Sequence, residues 1–212
     1  MFWPSPAHVP GHGLPSGAHV VGSATNFTVT LSTDRTALDA FFAKAGPLDH
    51  LVLSLTSGGG TGPFRDLELE GLRRAVEGKF WAYVNAAQAA LPHLSRRGGS
   101  ILLITGGAAR MATPGGSGLA ASNGALNAMV PTLALELAPV RVNAVSPGIV
   151  VTPMFEKWPD ETRDRFMKRA EATPVGRPGR PDELAQVVLT LLENEFVTGS
   201  ILDIDGGMRL KP

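Results

Sequence analysis

The chain has 212 residues, 43% hydrophobic and 18% charged, and its 19 Lys and Arg balance 19 Asp and Glu. A neutral balance gives no footprint for nucleic acid or an anionic membrane surface. No apolar run reaches the roughly 18–20 residues of a membrane span, and with no cysteine there is neither disulfide nor thiolate chemistry. The N-terminus, MFWPSPAHVPGHGLPSG, lacks the basic-then-apolar order of a secretory signal. The expectation is one cytoplasmic domain over residues 18–212, preceded by an irregular arm over residues 1–17.

In chain order, the arm holds His8 and His12, and His19 follows it. No carboxylate or Cys joins them at ligand spacing, so they read as loop histidines and no metal is expected. Ala18–Gly22 and Phe27–Leu31 read as short strands. The few residues between them cannot make a parallel crossover, so the two should form a hairpin. Thr33 or Asp34 caps a helix to about Lys44, ended by Gly46-Pro47. Leu51–Leu55 is a buried strand.

Residues 67–94 are helical, with a bend expected near Gly71 or Gly78. Ala75, Phe80, Val84, Ala87 and Leu91 form the expected core face. Ser100–Thr105 is a buried strand, followed by a glycine-rich loop and an Ala/Leu-rich helix from Leu119 to about Leu137. Val140–Val145 is the next strand, closed by Ser146-Pro147-Gly148. These two strands and their helix predict a parallel, right-handed unit with a ligand crevice at Thr105-Gly106-Gly107 and Pro147-Gly148. Then come a charged helical segment over 153–172, a helix with Pro at its start over 181–192, and a last strand over 200–204. Strands alternating with helices predict an α/β doubly wound, Rossmann-like parallel sheet.

From about Thr33 onward the chain resembles the short-chain dehydrogenase/reductase family. VRVNAVSPGIVVTPM (140–154), TPVGRPGRPDELAQVV (173–188) and VTGSILDIDGG (197–207) carry the resemblance. It implies an NAD(P)-dependent oxidoreductase that forms dimers or tetramers through the long helices and the last strand.

The family's chemical groups are replaced. The family's Tyr, which moves the hydroxyl proton, aligns with Leu119. Its Lys, four residues on, aligns with Asn123 in LAASN. Its Ser aligns with Gly106, and its helix Asn with Lys79 in EGKFWAYVNAAQ. The Asn and Lys thus look exchanged, which could keep one amide and one ammonium below the site. Lys79, Asn123 and Thr105 are the candidate catalytic residues: Lys79 to supply a proton, Thr105 to hold a substrate oxygen.

The cofactor side also departs. No strand–glycine turn–helix opens the chain, and Gly11-His12-Gly13 follows no strand. The family's NNAG aligns with Leu53-Ser54-Leu55-Thr56, and its adenine-contacting acid aligns with Leu31. The Pro147-Gly148-Ile149 turn and Thr152 remain as candidate cofactor-binding residues. A turn that merely ends a strand explains them as well.

The expected cofactor is therefore none, or weakly bound NAD(P). Three functions stay open: a diverged oxidoreductase, a cofactor-free enzyme on the same scaffold, and a silent subunit that stabilises an oligomer. An apolar pocket near Thr105, Ser117 and Phe155 would favour the second. Met154, Phe155, Trp158, Phe166 and Met167 suggest an apolar lid. Without the family's first strand, Leu51–Leu55 would have an open edge, so Phe27–Leu31 or another early segment should pair with it, or else a partner chain should cover it.

Overall fold

The computed structural model describes residues 20–23, 26–29, 34–55 and 59–210. The expected arm over 1–17, with His8, His12 and the Gly11–Gly13 turn, lies outside them. So do His19, Leu31, Thr33 and Thr56.

Six strands form one sheet in sequential order. β1 (Val20–Ser23) and β2 (Asn26–Val29) are an antiparallel hairpin. β2 then pairs in parallel with β3 (His50–Leu53), in the register Phe27↔Leu51 to Val29↔Leu53. The early segment thus occupies the edge of β3, as the missing-strand argument requires. β4 (Ser100–Ile104), β5 (Arg141–Pro147) and β6 (Ile201–Ile204) follow in parallel.

α1 (Arg35–Ala45) begins where the Asp34 carboxylate accepts from the Ala37 N–H, and Gly46 ends it at φ +78°. α2 (Leu69–Val76) and α3 (Ala82–Ala90) are continuous through a π-helical turn at Glu77–Trp81. The core face differs from the expected one. Of the five residues proposed, only Ala75 is fully buried. Phe80, Val84, Ala87 and Leu91 are half-buried, and the interior positions are Lys79, Ala82, Tyr83, Ala86, Ala89 and Ala90. The buried stripe keeps steps of three and four residues through Lys79, whereas the expected set steps five, from Ala75 to Phe80, because it passes over a polar residue, and so falls beside the stripe.

α4 (Ser117–Glu136) crosses from β4 to β5. α5 (Asp160–Glu171) and α6 (Pro181–Glu193) lie between β5 and β6. Strand side chains alternate between two faces. Leu51, Leu53, Ile101, Leu103, Val142 and Ala144 pack on α1, α3 and α4. Leu102, Val145 and Ile204 pack on α6.

The motif residues of β5 have clear packing tasks. Arg141 donates to the Leu191, Leu192 and Val197 carbonyls and so closes the last turn of α6. Asn143 donates to the Val197 carbonyl and accepts from the Ser200 N–H.

Candidate active-site crevice

The connections after β3 and β4 run to one face of the sheet, and the connection after β5 leads to α6 on the other. The loops therefore part beyond the carboxyl ends of β4 and β5, where doubly wound sheets hold ligands. Thr105-Gly106 and Pro147-Gly148 stand at this point.

Lys79 reaches it from the π-helical turn. It is 7% exposed, and its Nζ donates to the Thr105 carbonyl at 3.1 Å. Burial pushes its ammonium down from 10.5 to about 8. No ion pair to it is found among the described residues.

Asn123 comes from the second turn of α4 and is 4% exposed. Its Nδ2 donates to the Leu119 carbonyl at 2.8 Å, and its buried Oδ1 has no partner among the described residues. A Cβ on Gly106 would lie 3.4 Å from that Oδ1. Lys79 and Asn123 thus abut the same Thr105–Gly106 peptide, one from each helix. Thr105 itself is buried, and its hydroxyl donates to the Val145 carbonyl at 3.2 Å. Its proton is spent on the neighbouring strand rather than offered to the crevice. Leu119, half-buried, has no titratable group.

Tyr83, the only tyrosine of the chain, escaped the sequence reading. Its hydroxyl donates to the Ile104 carbonyl at 2.6 Å and accepts the Leu55 N–H at 2.9 Å. Burial raises its pKa. With both roles of the hydroxyl filled, it is a fastener between β3 and β4. The signal was its spacing: four residues after Lys79, it lies on the same helix face.

The candidate cofactor residues have structural partners. Pro147 ends β5 opposite Ile204. Gly148 donates to the Ile204 carbonyl, and a Cβ there would lie 2.7 Å from Asp205 Cα. The Ile149 carbonyl accepts from Gly179, and that of Thr152 from Phe155. Ile149 also lines an open cavity of about 240 Å³, with Val150, Thr173, Val175, Asp205 and Met208 among its walls. Thr105, Ser117 and Phe155 do not line it. The expected lid aromatics pack on one another, with ring centroids of Phe155 and Trp158 4.5 Å apart and of Trp158 and Phe166 4.9 Å apart.

A dinucleotide needs helix N–H groups open to its pyrophosphate. Here Asp34 caps α1, and the Gly60 carbonyl accepts the Gly118 N–H at the start of α4. The described residues supply no strand–glycine turn–helix cradle, and Gly148 is explained by the approach of Asp205. In both α1 and α4 a first-turn N–H is already taken.

Among the described residues no group of three or more His, Cys, Asp or Glu could hold a metal. No helix there is long and apolar enough to cross a membrane.

A family model described as enoyl-(acyl carrier protein) reductase matches residues 27–209. The 3-oxoacyl-[acyl-carrier-protein] reductase FabG of Thermotoga maritima is 40% identical over 129 residues, which are 58% of this chain and 51% of that protein. The short-chain dehydrogenase/reductase ATR9 of Stachybotrys chlorohalonatus is 35% identical over 80% of this chain and 67% of its own length. The chain therefore spans about half of the first relative and about two thirds of the second. A solved small-chain dehydrogenase in complex with NADPH superposes with a TM-score of 0.80, at 34% identity over 84% of this chain and 82% of that one.

Proposed function

This chain belongs to the short-chain dehydrogenase/reductase family, and on that premise we propose that it is a diverged member whose proton-transfer group is Lys79. It acts on a small, oxygen-bearing organic substrate in the crevice beyond β4 and β5. The family's Ser, Tyr and Lys are replaced by Gly106, Leu119 and Asn123, and NAD(P) is held weakly or not at all.

The observation that carries this reading is the Lys79 ammonium, buried at the Thr105–Gly106 peptide with no carboxylate partner among the described residues. A buried lysine with a pKa near 8 moves a proton close to neutral pH, as general acid–base catalysis requires. Lys79 gives a proton to the substrate oxygen, and the Thr105 carbonyl holds the ammonium in place. Gly106 leaves that oxygen room. Proton transfer of this kind is worth roughly 10²–10⁴-fold in rate.

The test has two parts. Small ketones and alcohols are screened with and without NADPH, and Lys79→Met is compared on every substrate found. The reading expects turnover to be lost in Lys79→Met. It also expects millimolar NADH or NADPH to give little thermal stabilisation, since a tightly bound ligand raises the melting temperature by mass action. Full turnover in Lys79→Met, or strong stabilisation by either dinucleotide, would overturn it.

A second reading, a non-catalytic subunit of a homo- or hetero-oligomer, draws on one observation. Leu69, Trp81 and Leu135 are exposed on α2, the π-helical turn and α4, the helices through which the family pairs. Light scattering on the purified chain tests it: a dimer or tetramer with no turnover of any screened substrate favours this reading.

A further inference from the structure

We infer that Tyr83 is the positioning residue for Lys79: the face of its ring holds the Lys79 ammonium charged and in place beside the Thr105 carbonyl. This rests on the reading of Lys79 as the proton-transfer group, and adds what keeps that group charged.

A buried ammonium needs substitutes for the water it has lost. Lys79 is 7% exposed and Tyr83 1%. The two stand four residues apart, on one face of the helix. Lys79 Nζ lies over the Tyr83 ring, 5.8 Å from its centroid. An aromatic face is negative and attracts a cation within about 6 Å, more strongly where water is excluded. Nζ also donates to the Thr105 carbonyl at 3.1 Å. The ammonium thus meets a carbonyl dipole and a ring face, and neither carries a full charge. A carboxylate in the place of the ring would hold the proton too firmly for release near neutral pH. A ring face favours the charged form by a smaller amount.

The ring is itself fixed. Its hydroxyl donates to the Ile104 carbonyl at 2.6 Å and accepts the Leu55 N–H at 2.9 Å. Ile104 is bonded to Thr105, so the hydroxyl anchors the ring to the segment that carries the acceptor of Lys79. One side chain therefore sets both partners of the ammonium. Among the described residues no charged side chain shifts Lys79, and burial pushes its ammonium down to about 8. The ring face opposes that push. Tyr83 is the titratable group that faces Lys79, and burial pushes its phenol up, so it stays neutral.

The full chain is labelled with ¹³C at lysine Cε, and Lys79 is assigned by its loss in Lys79→Met. Its titration midpoint is compared in the parent, Tyr83→Phe and Tyr83→Leu. A fourth sample is grown on monofluorinated tyrosine. Tyr83 is the only tyrosine of the chain, so the label enters there alone, with the hydroxyl kept and electron density drawn from the ring face. The midpoint should stay near that of the parent in Tyr83→Phe, which keeps the ring. It should fall by about 0.5–1 pH unit in Tyr83→Leu, and by part of that in the fluorotyrosine chain. The decline of kcat with pH should move by the same amounts. Both substitutions also cost stability, which a fastener alone would explain; the midpoint is what separates them. The fluorotyrosine chain serves where a substitution fails to fold.

A midpoint unmoved by fluorine and by Tyr83→Leu would overturn the inference. So would a rise toward 10.5 in Tyr83→Leu, which would make the ring a plug against water. A fall in Tyr83→Phe equal to that in Tyr83→Leu would assign the effect to the hydroxyl and overturn it too. The titration needs no substrate, so its failure is distinguishable from failure of the proton-transfer reading. Loss of kcat in Lys79→Met with a midpoint blind to the ring removes the role of Tyr83 alone. A midpoint that follows the ring, with unchanged kcat in Lys79→Met, removes only the role of Lys79 as proton donor.

Discussion

Lys79 and Thr105 are joined by a hydrogen bond of 3.1 Å from the ammonium to a backbone carbonyl at the end of β4. A neutral carbonyl does not compensate for burying a full charge, so this contact has a measurable signature in stability.

The first prediction concerns pH. The Lys79 pKa is about 8 in the folded chain against 10.5 as its ordinary value. Between those values the unfolded chain binds more protons than the folded one, so stability rises with pH across that window. The full span corresponds to about 3 kcal/mol. Lys79→Met should therefore be more stable than the parent below pH 8, and the difference should shrink toward pH 10.5. Urea unfolding at a series of pH values measures it. A parent whose stability is flat over that window would contradict the burial argument.

The second concerns activity. A proton donor must be protonated, so turnover should fall as pH rises through about 8. Lys79→Arg keeps the charge but cannot release a proton in this range. It should lose turnover while holding substrate, and so separate kcat from KM.

The third concerns Tyr83. Removing its hydroxyl leaves the Leu55 N–H and the Ile104 carbonyl without their shared partner. Tyr83→Phe should cost about 1–3 kcal/mol for a buried group left unsatisfied. Hydrogen exchange at the Leu55 amide should quicken more than at Leu103, which lies within the β3–β4 ladder.

The fourth contrasts two glycines of α4. A Cβ on Gly118 would lie 2.6 Å from the Gly60 carbonyl oxygen and 2.7 Å from Gly60 Cα. Gly118→Ala should force the loop off the helix and cost about 1–3 kcal/mol. Among the described residues Gly124 has nothing within 4 Å of its would-be Cβ, so Gly124→Ala should stabilise by about 0.5–1 kcal/mol. Thermal melts of both variants check the pair.

The order of elements was legible because buried parallel strands such as Ser100–Ile104 are continuous apolar runs, and caps such as Asp34 mark helix starts. The β1–β2 hairpin followed from the shortness of the link between Ser23 and Asn26, and the β2–β3 pairing from the need to occupy an edge. Less legible was the inward face of the helix that runs from α2 through α3. Lys79 and Tyr83 are polar residues on a buried stripe, and apolar periodicity passes over such positions. Within the site, the approach of Lys79 to the Thr105 carbonyl and of Asn123 to Gly106 was flagged only by the exchanged alignment positions. The engagement of Thr105 with Val145 depended on strand register at the end of β5, which one chain segment cannot reveal. Gly148 is tied to Asp205, 57 residues away, and no local pattern records that contact.

The most direct measurement is the pH dependence of kcat for a screened substrate in the parent chain and in Lys79→Met. The account predicts a parent profile that declines through about pH 8 and a variant reduced by about 10²-fold or more at neutral pH. Equal kcat in the two proteins, with the same profile, would contradict it.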